Sequence, residues 1–431
     1  MKYYIIAGEA SGDLHGSNLI KGIKSEDNNA EIRAWGGDLM RNAGANIVKH
    51  YRETAIMGFV EVLMNIDKIF KNLSDCKKDI LSYQPDVIIL IDYPGFNFKI
   101  AKFAKEKGFK VFYYIAPKVW AWKEKRVHRL QKYVDKLFII FPFEIDYFKK
   151  WNIDAIYEGN PLLDSVDNYT YINESKENFF NRISSKKVSI RELLKSIEQV
   201  QQDKPTKPTK PTQSAKPTEL TKPIQSAGPI SQTQPTIALL AGSRKMEINF
   251  LFPKMLEIAQ IHPNYKFILA AAPSIDINTY KKIILKFIAK KSIDDSIIPD
   301  IDIVYGETYS ILRHSDAAII SSGTASLEAA LIGVPQMVCY GGNPLSFAIA
   351  KFFVKLKYIS LANLILNKQI FKELLQGECN RKTIDDELER LLNDNEYRSE
   401  MNMNYQRVKE VLGGEGASKK IAKAMINELK K

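Results

Sequence analysis

The chain has 431 residues, 45% of them hydrophobic and 26% charged, with a formal net charge of +12; that length exceeds one ordinary core, and two soluble globular domains are expected. No run approaches the ~18 apolar residues of a spanning helix, and Glu9 and Asp13 interrupt the N-terminal apolar run too early for a signal peptide, so a cytoplasmic protein is expected. Cys76, Cys339 and Cys379 form no CxxC, and the five histidines form no HExxH or HxxxH, which disfavours a disulfide framework, a zinc site and a metal enzyme.

"KYYIIAG" is an apolar run of strand length, and "AGEASGDLHG" (residues 7–16) follows it at once. Strand, glycine, then helix is the geometry that aims backbone N–H groups at an anion. Yet the stretch is neither GxxxxGK[ST] nor GxGxxG, and its two acids oppose a polyphosphate. Glu9, Ser11, Gly12 and Asp13 better suit a sugar, whose hydroxyls want carboxylate and hydroxyl partners. The plainer reading is a helix start, with Ser11 or Asp13 at the N-cap and Gly8 for backbone freedom. Spacing leaves both open. "EIRAWGG" reads as the next strand. "TAIMGFVEVLMNIDKIFKNL" reads as a helix apolar around much of its circumference, including Val60, Val62, Leu63, Ile66, Ile69 and Phe70. Such a helix packs in a core or faces a membrane.

"DVIILID" places Asp92 at the end of a strand whose other residues are apolar. Open α/β sheets bind ligands at the carboxyl ends of parallel strands. A carboxylate there, beside Tyr93 and Phe96, can serve as a general base with a raised pKa, and Asn97 can orient a hydroxyl; the alternative is an Asp opening a turn before Pro94. "VFYYIAP" and "KLFIIFPF" are further strands. Between them Trp120 and Trp122 can stack on a sugar ring or an acyl chain, or pack a helix on the sheet. Lys99 to Lys136 holds twelve Lys/Arg against three acids. Such a band attracts phosphates, nucleic acid or an anionic membrane, or is simply a solvated exterior. With no RNP-like or zinc-knuckle motif, no nucleic-acid partner is expected.

From Lys204 to Pro235 the chain has seven prolines, four KPT triplets and no aromatic residue, the composition of a linker or tolerated insertion. The preceding "SKKVSIRELLKSIEQVQQ" suggests a short surface helix. The strand pattern then restarts with "TIALLAGS", "KFILAAA", "IDIVYGE", "DAAIISSG" and "PQMVCYGG". Two α/β units in succession, each of Rossmann size with a buried parallel sheet, follow. "LLAGSRKMEINFL" sets Gly242, Ser243, Arg244 and Glu247 between strand and helix as nucleotide-binding candidates, the Gly–Ser–Arg step suiting a diphosphate. "SSGTASLEAALIGVP" opens a helix with Ser322, Gly323 and Thr324 and places Glu328 one turn on. That arrangement suits a nucleotide's phosphate and ribose, or is a capped helix with an incidental acid. The tail from about Ile384 is helical. The expected units are 1–183, an insertion at 184–235, 236–383, and C-terminal helices at 384–431.

Eight stretches in order resemble the lipid-A-disaccharide synthase family: "AGEASGD", "MGFVEVL", "IDYPGFN", "PKVWAW", "FPFE", "AGSR", "SSGTASLE" and "YISLANLI…KELLQGEC". The resemblance spans the chain except about residues 184–235. It implies a GT-B fold, in which two Rossmann-like domains face each other across a cleft, and an inverting glycosyltransferase that uses no cofactor and no metal. The implied substrates are UDP-2,3-diacylglucosamine and 2,3-diacylglucosamine 1-phosphate (lipid X). The implied product is the β-1,6-linked disaccharide, with UDP leaving, at the cytoplasmic face of the inner membrane. Asp92 matches the family's general base. Arg244 and the helix start at Thr324 then neutralise UDP, Glu328 binds ribose, and the opening loop belongs to the lipid-sugar. The 57–73 helix moves toward acyl or membrane contact, and the basic band toward anionic lipid. An isomerase resembling UDP-N-acetylglucosamine 2-epimerase, and a non-catalytic lipid- or nucleotide-binding protein, are the rival readings. The sequence departs from the family at the KPT insertion and at Gly341–Gly342, where relatives carry a basic residue after the tyrosine; Asn343 is a partial substitute.

Overall fold

Apolar runs that do not alternate become strands covered on both faces: every residue of β4, Val87–Ile91, and of β9, Thr236–Leu240, is buried. The computed structural model describes residues 1–54, 66–120, 124–195, 234–291, 298–341 and 357–431. Among them, β1 (Lys2–Ala7), β2 (Glu31–Gly36), β3 (Asn46–His50), β4, β5 (Lys110–Tyr114), β6 (Lys136–Ile139) and β7 (Ala155–Tyr157) form one parallel sheet, in the order β3-β2-β1-β4-β5-β6-β7. A second sheet is built from β8 (Val188–Ser189), β9, β10 (Lys266–Ala271), β11 (Ile301–Tyr305), β12 (Ala317–Ser321), β13 (Gln336–Tyr340) and β14 (Glu373–Leu375), in the order β14-β13-β12-β9-β10-β11-β8. Only β8, on its edge, runs antiparallel to its neighbour. Both sheets are doubly wound: the chain reverses direction between β1 and β4 in the first and between β9 and β12 in the second. These switch points are where such sheets open a ligand crevice.

The boundary expected at residue 183 shifts toward the N-terminus. Tyr169 OH lies 2.9 Å from Ser310 Oγ, Arg182 pairs with Glu307 at 2.6 Å, and Phe179 and Ile183 pack in one cluster with Ala238 and Ile268. The start of the expected insertion is ordered too. β8 pairs with β11, and the helix that begins at residue 190 buries Ile190 and Leu193 rather than lying on the surface. Residues 196–233, with the KPT triplets, lie outside the described residues.

The C-terminal helices divide between the domains. Helix Asn395–Val411 stays on the second, where Tyr405 OH donates to the Val334 carbonyl. Helix Ala417–Lys430 crosses back to the first and packs on helix Ala10–Glu26. A Cβ at Gly22 would lie 2.7 Å from the Ser418 carbonyl oxygen, so that glycine sets how closely the two helices approach. Asp164 fixes the crossing by accepting from the Gly416 and Ser418 amides, both at 2.7 Å.

Candidate active site

Register sets the loops of each switch point side by side. Ala7 pairs with Ile91, so Gly8–Glu9 and Asp92–Tyr93 leave neighbouring strand ends. A Cβ on Gly8 would lie 2.4 Å from the Tyr93 ring; glycine is what lets that ring close over the opening loop. Asp92 and Tyr93 both hold left-handed backbone, at φ 42° and 47°, which costs a non-glycine residue about 1–2 kcal/mol. Two hydrogen bonds hold the turn: the Asp92 carbonyl accepts from Asn97 Nδ2 at 2.8 Å and from Tyr113 OH at 2.6 Å.

Asp92 is exposed at the carboxyl end of β4, and Glu9, Lys118 and Arg244 act on its carboxyl. Lost solvation raises its pKa to about 6 and the Glu9 carboxylate adds to the rise, while Lys118, the Tyr93 amide and Arg244 oppose it. Arg244, from the second domain, is the smallest of these influences. Lys118 is affected in the same way. Desolvation pulls its pKa below the ordinary lysine value, against Asp92 and Glu144, and Arg244 lowers it further. Behind it, Glu144 is 1% exposed. Burial pushes its pKa up to about 7, against hydrogen bonds from Trp120 and from the Phe141 and Ile140 amides, and against Lys118.

In the second domain Leu240 pairs with Ile320, so the loops after β9 and β12 also emerge together. Gly242 sits at φ 110°, where a Cβ would meet Glu247 Oε2 at 2.5 Å. That oxygen accepts from the Ser243 amide at 3.1 Å and the Arg244 amide at 3.3 Å, and Arg244 Nη1 reaches Oε1 at 3.2 Å. The amides expected to grip a diphosphate therefore hold a carboxylate of the chain itself. Across from them Gly323, at φ 156°, is the N-cap of helix Thr324–Ile332, with no side-chain cap, and Ser322 and Thr324 flank it half-exposed. Glu328 is half-buried and accepts from Tyr309 OH at 2.9 Å; burial raises its pKa, and that hydrogen bond opposes the rise.

Several expected assignments change. Asp13 is 3% exposed and accepts from the amides of Gly37, Leu39 and Met40 at 2.8, 3.1 and 3.0 Å. It caps helix Asp38–Asn42 and has no sugar-facing side. Nor does it or Ser11 cap its own helix, where Glu9 is the N-cap without a side-chain bond. Gly12 is buried, 3.1 Å from Ala7 Cβ at its virtual Cβ, and serves packing, while Ser11 is exposed and Glu9 partly so. Asn97 is 0% exposed and orients Asp92 rather than a substrate hydroxyl. Trp120 donates to Glu144 Oε1 at 2.9 Å and sets its edge on Phe143, so it braces the cleft loop. Gly341 has no room for a side chain, because a Cβ there would lie 2.0 Å from the Phe250 ring.

Trp122, Asn343, Gly342, Val60, Val62 and Leu63 lie outside the described residues. Ile66 opens helix Ile66–Tyr83. On that helix Ile69 packs on the core with Leu73, Cys76 and Ile80, which corrects its expected outward role, whereas Phe70 is 60% exposed beneath Lys99 Nζ, 5.4 Å from its ring. Lys118 and Glu144 were missed; their signals were a lysine after a proline at a strand end and an acid closing the apolar run "FIIFPFE". Among the described residues, His262, Asp385 and Glu389 could together hold a metal. His262 Nε2 lies 2.6 Å from Asp385, and Tyr265 OH donates to Glu389 at 2.8 Å. This brace sits at the far end of helix Lys245–Ile261, about 25 Å from Arg244 at 1.5 Å per residue.

Comparison with known proteins bears on the family and the fold. A family model described as Lipid-A-disaccharide synthetase matches residues 3–205 and 213–426, so the gap falls within the KPT triplets. Lipid-A-disaccharide synthases of Geobacter metallireducens and Trichlorobacter lovleyi are 32% and 30% identical, covering 99% and 98% of this chain and 97% and 96% of theirs. Among solved structures, UDP-GlcNAc 2-epimerase of Methanocaldococcus jannaschii, in complex with UDP-GlcNAc and UDP, superposes with a TM-score of 0.62 at 13% identity, covering 99% of this chain and all of that one. A glycotransferase of kitacinnamycin superposes at 0.52 with 11% identity, covering 99% of this chain and 98% of that one. These likenesses show the two-domain GT-B fold and nothing finer. With the family match running almost end to end, the chain belongs to the lipid-A-disaccharide synthase family of glycosyltransferases.

Proposed function

We propose that the chain condenses UDP-2,3-diacylglucosamine with 2,3-diacylglucosamine 1-phosphate, by inversion and without a metal, to the β-1,6-linked disaccharide 1-phosphate and UDP. The observation that carries this reading is the family match over residues 3–205 and 213–426, with Asp92 at the carboxyl end of β4 beside the Gly8–Glu9 loop and its pKa raised to about 6. Near neutral pH such a carboxylate is mostly ionised yet basic enough for proton transfer. Asp92 takes the proton of the acceptor 6-hydroxyl while that oxygen bonds to the anomeric carbon. The bond from that carbon to the diphosphate breaks on the opposite face, and UDP leaves with its electron pair. Charge developing on UDP is met by Arg244, by Lys118 and by the N-terminus of helix Thr324–Ile332.

The acyl chains call for an apolar neighbour, and exposed Phe70 beneath Lys99 on the basic side of the first domain supplies a contact to an anionic leaflet. No helix among the described residues is long and apolar enough to cross a membrane, and a peripheral position on the inner membrane fits this reading. The test is purified protein incubated with both lipid substrates in EDTA, with the product read by mass. A disaccharide 1-phosphate supports the proposal, its absence in EDTA but not in magnesium overturns metal independence, and its absence in both overturns the reaction. Conversion of UDP-N-acetylglucosamine alone would mark an epimerase instead.

A further inference from the structure

The loop after β9 is shaped to hold an oxyanion and already holds one. Gly242, at φ 110°, removes the Cβ that would block Glu247 Oε2. Successive amides of Ser243 and Arg244 converge on that oxygen, and the Arg244 guanidinium takes the other. Converging amides with a guanidinium beside them are the donor set a phosphate wants. The Glu247 side chain is 13% exposed and that of Arg244 is 56% exposed, so the carboxylate is seated in the loop while the arginine paired with it stays open to solvent. A glutamate three residues into a helix often returns to the N-cap amide. Here it also holds the amide before the N-cap and the guanidinium of the N-cap arginine.

We infer that Glu247 is a displaceable stand-in for the donor's diphosphate: it fills the oxyanion cradle and retains Arg244 until UDP takes its place. The inference rests on the reading of this cleft as a UDP-sugar site. Displacement frees the guanidinium to reach the diphosphate, and return of the carboxylate after transfer favours release of UDP. Removing a competitor that occupies the binding-competent donors raises apparent affinity by the inverse of the open fraction.

The test is calorimetric titration of UDP, and separately of inorganic pyrophosphate, into wild-type protein and into Glu247→Gln and Glu247→Ala, with melting curves alongside. A stand-in predicts that both ligands bind about fivefold or more tightly to the variants, and that UDP release slows. Weaker or unchanged binding in folded variants would show that Glu247 only caps the helix and would overturn the inference while leaving the UDP site intact. Wild-type protein that binds no UDP overturns the donor site itself, and the stand-in with it. The structure of wild-type protein with UDP is a second arm that needs no variant. Glu247 is expected off the Ser243 and Arg244 amides, and finding it still on them overturns the inference.

Discussion

Asn97 Nδ2 donates to the carbonyl of Asp92 at 2.8 Å and to that of Ile91 at 3.2 Å, from a side chain with no exposure. A residue that cannot meet substrate thus fixes the backbone that presents the base. Asn97→Leu leaves those carbonyls short of a donor inside the domain, which costs about 1–3 kcal/mol, and lets the left-handed pair Asp92–Tyr93 relax. We expect a lower urea midpoint and a fall in kcat larger than any change in KM. A kcat equal to wild type would show that Tyr113 alone holds the turn.

Asp92→Asn should bind UDP normally and lose at least ~100-fold in rate, the scale of a general base. The pH profile carries more information. Asp92 acts when deprotonated and its pKa is raised to about 6, so the rate should fall as pH drops through about 6 and level off above it. The groups facing it shift that limb in opposite directions. Glu9→Gln removes a negative neighbour that raises the pKa and moves the limb to lower pH. Lys118→Met removes a positive neighbour that lowers it and moves the limb to higher pH. A limb that moves in the Lys118 variant but not in the Glu9 variant would assign the titration to Glu144, which Lys118 also faces, and one that stays in place in both would assign it to a group outside this set.

Asp13 offers a clean contrast between two roles. Its carboxylate serves the amides of Gly37, Leu39 and Met40, so Asp13→Ala should destabilise the first domain by about 3 kcal/mol, from the loss of charge-assisted bonds in a buried place. The change is measured by denaturant unfolding with UDP affinity as a control. A sugar ligand would behave the other way, with an unaltered melting point and a raised KM for the acceptor.

That residue also marks where reading from sequence stops. The place of Asp92 was legible because an acid that follows an all-apolar run falls at the carboxyl end of a buried strand. Gly242 and Arg244, in the loop after β9, and Gly323, in the loop after β12, were legible as glycine-bearing steps from a buried strand into a helix. Asp13 was not, because its partners lie 24 to 27 residues downstream and meet it only after β2 has formed. Lys118, after β5, and Glu144, after β6, matter because those neighbouring strands bring them together, which no spacing records. β3, β7, β8 and β14 were missed because half-buried edge strands lack the continuous apolar run that two-sided burial imposes. The 188–195 segment was assigned to the insertion because so short a core contact is masked by the polar residues around it.

Phe70 remains outward-facing with Lys99 above its ring, while Ile69, Leu73, Cys76 and Ile80 turn inward on the same helix. Substituting an exposed side chain leaves the core intact, so Phe70→Ser should fold and melt as wild type. Burying a phenylalanine in an acyl boundary contributes about 1.5–3 kcal/mol, and a lysine near an anionic leaflet about 1 kcal/mol. Phe70→Ser with Lys99→Ser should therefore weaken co-sedimentation with vesicles containing phosphatidylglycerol by roughly tenfold or more. Phe70→Ser alone should weaken binding to neutral and anionic vesicles alike, and Lys99→Ser alone only to anionic ones, with the loss shrinking as salt rises. Equal binding by the double variant and wild type would remove this face from membrane contact and leave the basic band a solvated exterior.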